Sequence, residues 1–506
     1  MPNLASNLVA TASAHPSAVA IKLDDVEVSF GALEVLSQKI ATLLVEMGVG
    51  RGDRVALILP NIPQMAFIYY GVLRHGAVVV PLNPLLKGRE IAYHLVDSGT
   101  RLVFAWEGVL AEAQNGADSA AEDSAAVDVI PVDGATFMQR VSAAEPTPGL
   151  VEVDGSDTAV LLYTSGTTGR PKGADLSHDN LRRNTEISRD LMGIEVGEVL
   201  FGGLPFFHIF GQTCALNAAV LTGATVTLLP RFEPGKALEI IERDGVTVFE
   251  GVPTMYIAML RHPAVKETNL ASLRVAVSGG SALPVEVLHE FERVFEADLL
   301  EGYGLSETSP IVSFNRVGDV RKPGSIGTPV DGVEVRMLDA DGADVPPGEV
   351  GELSVRGHCV MKGYWNNSEA TAAAIPDGWF RTGDLARFDE DGAIFIVDRK
   401  KDVILRGSYN VYPREVEEVL YEHPAVAEAA VVGVADELHG EEVVAVVGLK
   451  AESMPADDEA RRVLNDEILE FARKRLAAYK YPRRVVFVDQ LPKGPTGKIL
   501  KREITV

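Results

Sequence analysis

The sharpest chemical signal in the chain is the stretch Tyr163-Thr-Ser-Gly-Thr-Thr-Gly-Arg-Pro-Lys-Gly173. Small hydroxyl side chains interleaved with glycine let backbone N–H and side-chain O–H groups surround phosphate oxygens at close range, and Lys172 adds positive charge. Two other nucleotide loops are excluded. No G-K-[ST] closes a G-x-x-x-x-G-K-[ST] pattern here, and Gly497-Lys498 is followed by Ile499. Gly48-Val-Gly50 continues as Arg51-Gly-Asp53, so no G-x-G-x-x-G fingerprint is present either.

Four further strings lie downstream: Glu301-Gly-Tyr-Gly-Leu-Ser-Glu-Thr308, Trp379-Phe-Arg-Thr-Gly-Asp384, Asp398-Arg-Lys-Lys-Asp402 and Pro492-Lys-Gly-Pro-Thr-Gly-Lys-Ile499. With the first loop they closely resemble the adenylate-forming superfamily. That group holds acyl-CoA synthetases, aryl-CoA ligases of the 4-coumarate–CoA ligase type, luciferases and peptide-synthetase adenylation domains. The motifs run in family order and the resemblance spans the chain from about Val55 to its last residues.

The resemblance implies roles for particular residues. Thr164, Ser165, Gly166, Thr167, Thr168, Gly169 and Lys172 would hold the phosphates of ATP. Within Glu301, Gly302 and Tyr303 a Gly-Tyr-Gly turn lets an aromatic face stack on the base, Ser306 would meet the α-phosphate, and Glu307 with Thr164 would hold Mg²⁺. Gly280 and Ser281 follow a strand where bare backbone can approach adenine, although such a turn could serve only as a helix entry. Asp384 and Arg399 match the ribose ligands. Lys498 matches the lysine that bridges the substrate carboxylate and the α-phosphate, cancelling charge between two anions. His208, in Pro205-Phe-Phe-His-Ile-Phe210, stands where the family often has a histidine at the mouth of the acyl pocket, and could equally be a satisfied core histidine. His178 and the turn Asp436–Glu442 read as structural. After Ile404, where many relatives show Lys-x-Gly-Gly, this chain has Leu405-Arg-Gly-Ser408.

The implied chemistry is two half-reactions with ATP, Mg²⁺ and coenzyme A. A carboxylate attacks the α-phosphate to give acyl-AMP and pyrophosphate, and the coenzyme A thiolate then displaces AMP. A medium- or long-chain fatty acid is the first choice of acid, and an aryl acid such as a cinnamate the second. Delivery of the acyl group to a carrier protein or to oxygen would share nearly every motif, and a catalytically dead nucleotide sensor would lack acid-dependent pyrophosphate release.

The elements that must position these residues follow from periodicity. Apolar runs such as Val55–Leu59, Val160–Tyr163, Thr247–Phe249 and Arg274–Val277 alternate with amphipathic helices, one capped by Ser177 and others opening at Pro253 and Pro284. This predicts α/β architecture: a large N-terminal domain of two mostly parallel α/β subdomains. Between about 320 and 398, short strands and turn signals predict a small β-barrel-like or antiparallel subdomain. A compact α+β C-terminal domain follows, with helices over 413–423 and 459–477 and strands over 429–434, 443–449 and 484–488. The domains are placed at 1–398 and 402–506, and the resemblance implies that the C-terminal one is mobile on a hinge at 399–401 centred on Lys401. Residues 111–127, rich in Ala, Ser, Asp and Glu, read as a solvated surface excursion.

Composition bounds the partners. Of 506 residues, 47 are Lys or Arg and 72 Asp or Glu, a net charge of −25. That excludes nucleic acid and an anionic membrane face. It also requires that a few local cations and a metal outweigh the global field if the ligand is a polyanion. Two distant cysteines, Cys214 and Cys359, fit a reducing compartment, so a cytoplasmic location is expected. The N-terminal stretch lacks a signal-peptide pattern. Phe201–Leu229 contains no charge, yet it includes Pro205, His208, Gln212 and Asn217, so it reads as a buried segment lining an apolar cavity rather than a transmembrane span.

Overall fold

The computed structural model describes residues 2–123, 126–164, 170–318, 321–407, 409–436, 438–494 and 497–506. Ser165, Gly166, Thr167, Thr168, Gly169 and Ser408 lie outside the described residues.

Among these residues the strands form four sheets. In the nine-stranded sheet, Val199–Gly202, Thr225–Leu228, Val248–Gly251, Val275–Ser278 and Asp298–Gly304 run parallel, and most of their residues are buried, as strands covered on both faces require. In the seven-stranded sheet, Arg54–Ile58, Val78–Pro81, Thr100–Trp106, Asp128–Val132 and Thr158–Thr164 run parallel. A strand not anticipated from sequence, Lys172–Ser177, turns back antiparallel to Thr158–Thr164, with Thr164 opposite Lys172. The residues that flank the phosphate-type loop, Thr164 and Lys172, therefore stand opposite one another on paired strands. The helix His178–Met192 follows it, closed at its start by a reciprocal pair: Ser177 Oγ accepts from Asn180 N at 3.1 Å and Asn180 Oδ1 accepts from Ser177 N at 2.9 Å.

Residues 111–127 are not a surface excursion. They lie largely in the helix Leu110–Asp123, whose Ala113, Ala117 and Ala120 are buried against the helix Gly88–Ser98. Spacings of four and three place those alanines on one face, and small side chains let the helices approach closely: a Cβ at Gly116 would stand 2.5 Å from Ile91 Cγ2.

The predicted antiparallel subdomain is a four-stranded sheet of Val333–Leu338, Gly351–Gly357, Phe380–Phe388 and Ile394–Arg399. Between its second and third strands the chain detours through Gly363–Tyr364, which pairs with Lys172–Ser177 of the seven-stranded sheet. Residues after Arg399 build a separate core around Val416, Val431, Val443 and Ile468, with helices Pro413–Tyr421 and Asp458–Arg475 on a five-stranded sheet. The segment 201–229 is buried along most of its length, including a π-helical turn Gly211–Asn217, and no helix among the described residues is long and apolar enough to cross a membrane. His178 is buried, its Nδ1 accepting from Leu4 N at 3.1 Å, as a structural histidine should be.

Candidate active site

The parallel strands Val248–Gly251, Val275–Ser278 and Asp298–Gly304 end side by side, and their carboxyl-terminal turns open into one cleft of about 1980 Å³. This is where open α/β sheets bind ligands, outside the carboxyl ends of their strands. Val252, Gly279, Gly280 and Leu305–Glu307 line it from this sheet, and Thr164 and Lys172 line it from the hairpin of the other large sheet. Gly280 adopts φ +79°, which favours glycine, and at Gly304 a Cβ would lie 1.9 Å from the Pro310 carbonyl oxygen.

Glu307 sits in the one-turn helix Ser306–Thr308 and is largely buried. Its Oε1 accepts from the Thr164 hydroxyl at 3.3 Å and from the Tyr364 hydroxyl at 3.0 Å. The Lys172 ammonium stands 5.0 Å from the centre of the Tyr364 ring, a cation–π contact. Tyr364 escaped the sequence reading, because only the detour of Gly363–Tyr364 onto the hairpin brings it to Glu307 and Lys172.

A second group gathers on the four-stranded sheet. Asp384 and Arg399 are cross-strand neighbours, and Arg399 Nε lies 2.9 Å from Asp384 Oδ1. The Tyr303 hydroxyl donates to Asp384 Oδ2 at 2.5 Å, so the aromatic ring at the end of the parallel strand is tied to the pair. Gly302 and Tyr303 line the cleft, whereas Glu301 does not. Glu301 is held away from the cleft instead: its Oε2 accepts from Gly324 N at 3.1 Å, and burial lifts its carboxyl to about 7 against the opposing charge of Arg414. Ser281 is likewise not among the cleft residues, so of that pair only Gly280 approaches the site.

Lys498 comes from the C-terminal body. Its turn is held by Gly494 N donating to Lys498 O at 2.8 Å, and it is anchored to the first body by Thr254 Oγ1 donating to Gly497 O at 3.1 Å. Burial and the nearby Arg399 guanidinium lower the ammonium to about 8, opposed by Asp384. His208 lines the same cleft. Burial first, and Lys498 second, lower its imidazole to about 4, so the ring is neutral near pH 7. Its Nδ1 accepts from Phe210 N at 3.3 Å, which leaves the proton on Nε2 as a donor.

The chemistry such an arrangement can perform is charge neutralisation around a polyanion. Arg170, Lys172, Arg381, Arg399, Lys498 and Arg502 all line the cleft, local cations set against a chain of net charge −25. Apolar side chains line the same cleft, among them Phe207, Ile209, Phe210, Val252, Ile311 and Phe314. Lys401 lies outside the cleft, exposed at the junction between the bodies.

Comparison with known proteins bears on the family of the chain. A model of the AMP-binding enzyme family matches residues 8–365, and one of the AMP-binding enzyme C-terminal domain matches residues 415–498. The chain is similar to a long-chain-fatty-acid–CoA ligase of Bacillus subtilis (strain 168), at 40% identity across 100% of this chain and 94% of that protein. It is also similar to a feruloyl-CoA synthase of an Amycolatopsis species, at 38% identity across 98% and 97%. ATP-bound MatB from Rhodopseudomonas palustris has a similar structure, with a TM-score of 0.91 at 33% identity, covering 99% of this chain and 97% of that one. Matched over most of its length by one family model and over its C-terminal part by the companion model, the chain belongs to the AMP-binding enzyme family.

Proposed function

We propose that the protein is an AMP-forming acid–CoA ligase acting on apolar monocarboxylates, with medium- or long-chain fatty acids as the first choice. The observation that carries this reading is that Lys498, delivered by the C-terminal body, lines one cleft with His208, Arg399 and Glu307 and with apolar side chains such as Phe207, Ile209 and Phe314.

A carboxylate is a weak nucleophile, so the first half-reaction, attack on the α-phosphate of ATP, depends on positioning and charge cancellation. Lys498 supplies a cation where the two anions meet. The Nε2–H of His208 and the hydroxyl of Ser306 supply neutral donors beside it, Tyr303 and Gly302 face the base, and Asp384 with Arg399 holds the ribose. The family implies Mg²⁺, and the residues suit it: a carboxylate and a hydroxyl, Glu307 and Thr164, are hard oxygen donors of the kind Mg²⁺ combines with substrate phosphates. Bound there, the metal would neutralise polyphosphate charge. In the second half-reaction coenzyme A displaces AMP. We place the boundary between the domains at residues 398–402, with Lys401 as the hinge between two orientations of the C-terminal domain. The buried free thiols of Cys214 and Cys359 suit a reducing cytoplasm.

The apolar wall favours a fatty tail, and the similarity to feruloyl-CoA synthase favours an aryl acid as the second reading. The test is pyrophosphate release across fatty, aryl, amino and dicarboxylic acids, with and without coenzyme A. Monocarboxylates with apolar bodies should exceed dicarboxylates by about a thousandfold, since burying an unpaired second carboxylate costs several kcal/mol. Succinate turning over as fast as octanoate would contradict the pocket assignment.

A further inference from the structure

Glu301 begins a motif whose other residues meet the cleft, yet the charges that act on its buried carboxyl belong to the C-terminal body. Arg414 draws it down and Glu418 pushes it up. These two side chains sit one turn apart in the helix Pro413–Tyr421, with Arg414 Nε 3.8 Å from Glu418 Oε1. Together they cross the seam to the first body. Arg414 Nη1 donates to Ile396 O at 2.7 Å, and Arg414 N donates to Asp398 Oδ2 at 2.9 Å. Both acceptors belong to the strand Ile394–Arg399, and the amide is one that the first turn of a helix leaves without an internal partner. Glu418 Oε2 accepts from Val285 N at 3.3 Å, the first amide of the helix Val285–Phe295, where a carboxylate also meets the positive end of the helix dipole.

One turn of helix thus grips two elements of the first body that are distant in sequence. The side chains of Arg414 and Glu418 are 14% and 31% exposed, so salt and solvent screen these contacts less than they would at an open surface. The same helix is tied to the segment that carries Lys498. Glu417, beside Glu418, pairs with Lys501 Nζ at 2.7 Å and accepts from Val431 N at 2.7 Å. Lys501 follows Lys498 by one short turn of chain, so a shift of the helix against the first body is passed to the lysine in the cleft. The bond from Thr254 to Gly497 O joins two neutral groups, whereas those of Arg414 and Glu418 involve charged side chains and are the stronger kind.

We propose that Arg414 and Glu418 are positioning residues for adenylation: they seat the C-terminal body on the first body in the orientation that brings Lys498 into the cleft. They act through Lys498 and touch no substrate. The inference rests on the acid–CoA ligase reading with two orientations of the C-terminal body, and deepens it by naming the side chains that hold one of them.

Single-turnover acyl-AMP formation, and thioester formation from supplied acyl-AMP and coenzyme A, are measured for the wild type, Arg414→Ala and Glu418→Ala. Each variant should slow acyl-AMP formation by about 10-fold, the fall in the seated population expected when a hydrogen bond to a charged group is lost. Thioester formation should hold its rate or rise, because the other orientation gains what this one loses. A residue that only stabilised the fold would slow both. Glu418→Gln keeps an oxygen acceptor for Val285 N and should recover part of the acyl-AMP rate. A second readout needs no turnover: modification of Lys498 by an amine-reactive anhydride, mapped by mass spectrometry and normalised to the exposed Lys401, should rise in both alanine variants. Should these not fold, Glu418→Gln carries both readouts in the same direction. Equal slowing of the two half-reactions, unchanged acyl-AMP formation or unchanged Lys498 modification in folded variants overturns the proposal while leaving the ligase reading standing. Failure of the wild type to form acyl-AMP from any acid overturns both.

Discussion

Asp384 and Arg399 face one another as register partners on neighbouring antiparallel strands, 2.9 Å apart at Oδ1 and Nε, and the other carboxylate oxygen of Asp384 accepts from Tyr303. Three residues from two sheets are thus locked together at the proposed base and ribose site. Asp384→Asn removes the ion pair and one charge-assisted acceptor. The expected outcome is a rise of about 10- to 100-fold in the KM for ATP with a smaller change in kcat, in line with the 1.5–3 kcal/mol typical of hydrogen bonds to charged groups. Steady-state kinetics at varied ATP would check it.

The depressed ammonium of Lys498 predicts a pH dependence with a definite sign. The cation is present below about 8 and is lost as pH rises through that value, so kcat/KM for adenylation should fall above pH 8 by roughly tenfold per unit. His208, lowered to about 4, is neutral across the same range and should add no limb near its ordinary value of 6.5. A pyrophosphate-release profile that climbs through pH 9 would contradict the assignment of Lys498.

Tyr364 donates to the same Glu307 oxygen that Thr164 reaches, so it positions the proposed metal-holding carboxylate without being a ligand itself. Tyr364→Phe should raise the Mg²⁺ concentration needed for half-maximal adenylation by about 10-fold, the lower end of what loss of a supporting hydrogen bond costs a metal site. At saturating Mg²⁺ much of the rate should return. A pure loss of stability would shift the melting temperature and leave the Mg²⁺ requirement unchanged.

Lys401 stands exposed at the junction between the bodies. Proline fixes φ near about −65° and removes a backbone donor, so Lys401→Pro should hold the C-terminal body in one orientation. Adenylation should persist while thioester formation slows by orders of magnitude. Lys401→Ala should keep both, and single-turnover assays of each half-reaction would separate a hinge from a solvated linker charge, for which the two variants behave alike.

How much of this was legible in the sequence depended on how local each signal is. Thr164, Glu307, Asp384, Arg399 and Lys498 stand in contiguous strings that resemble the family's motifs, and strand–helix alternation foretold the parallel sheets that lead to Thr164 and Glu307. Glu301 shared such a string yet lies outside the cleft, bonded to Gly324 N, a partner 23 positions downstream that the motif does not announce. The strand Lys172–Ser177 was hidden because Gly173 and Asp175 interrupt its apolar pattern. The helix Leu110–Asp123 was hidden because its buried face is made of alanines, which carry little hydrophobic signal. Tyr364 owes its interest to partners that only the folded chain defines.

The central claim is that Lys498 completes the adenylation site from the C-terminal body, and single-turnover analysis of Lys498→Ala tests it most directly. Acyl-AMP formation from ATP and a good acid should fall by about 100- to 1000-fold, the loss expected when one preorganised electrostatic contact to a developing charge is removed. Thioester formation from supplied acyl-AMP and coenzyme A should stay within a few fold of wild type, because the meeting of two anions has by then passed. Equal loss of both half-reactions in a folded variant, or unchanged acyl-AMP formation, would contradict the account.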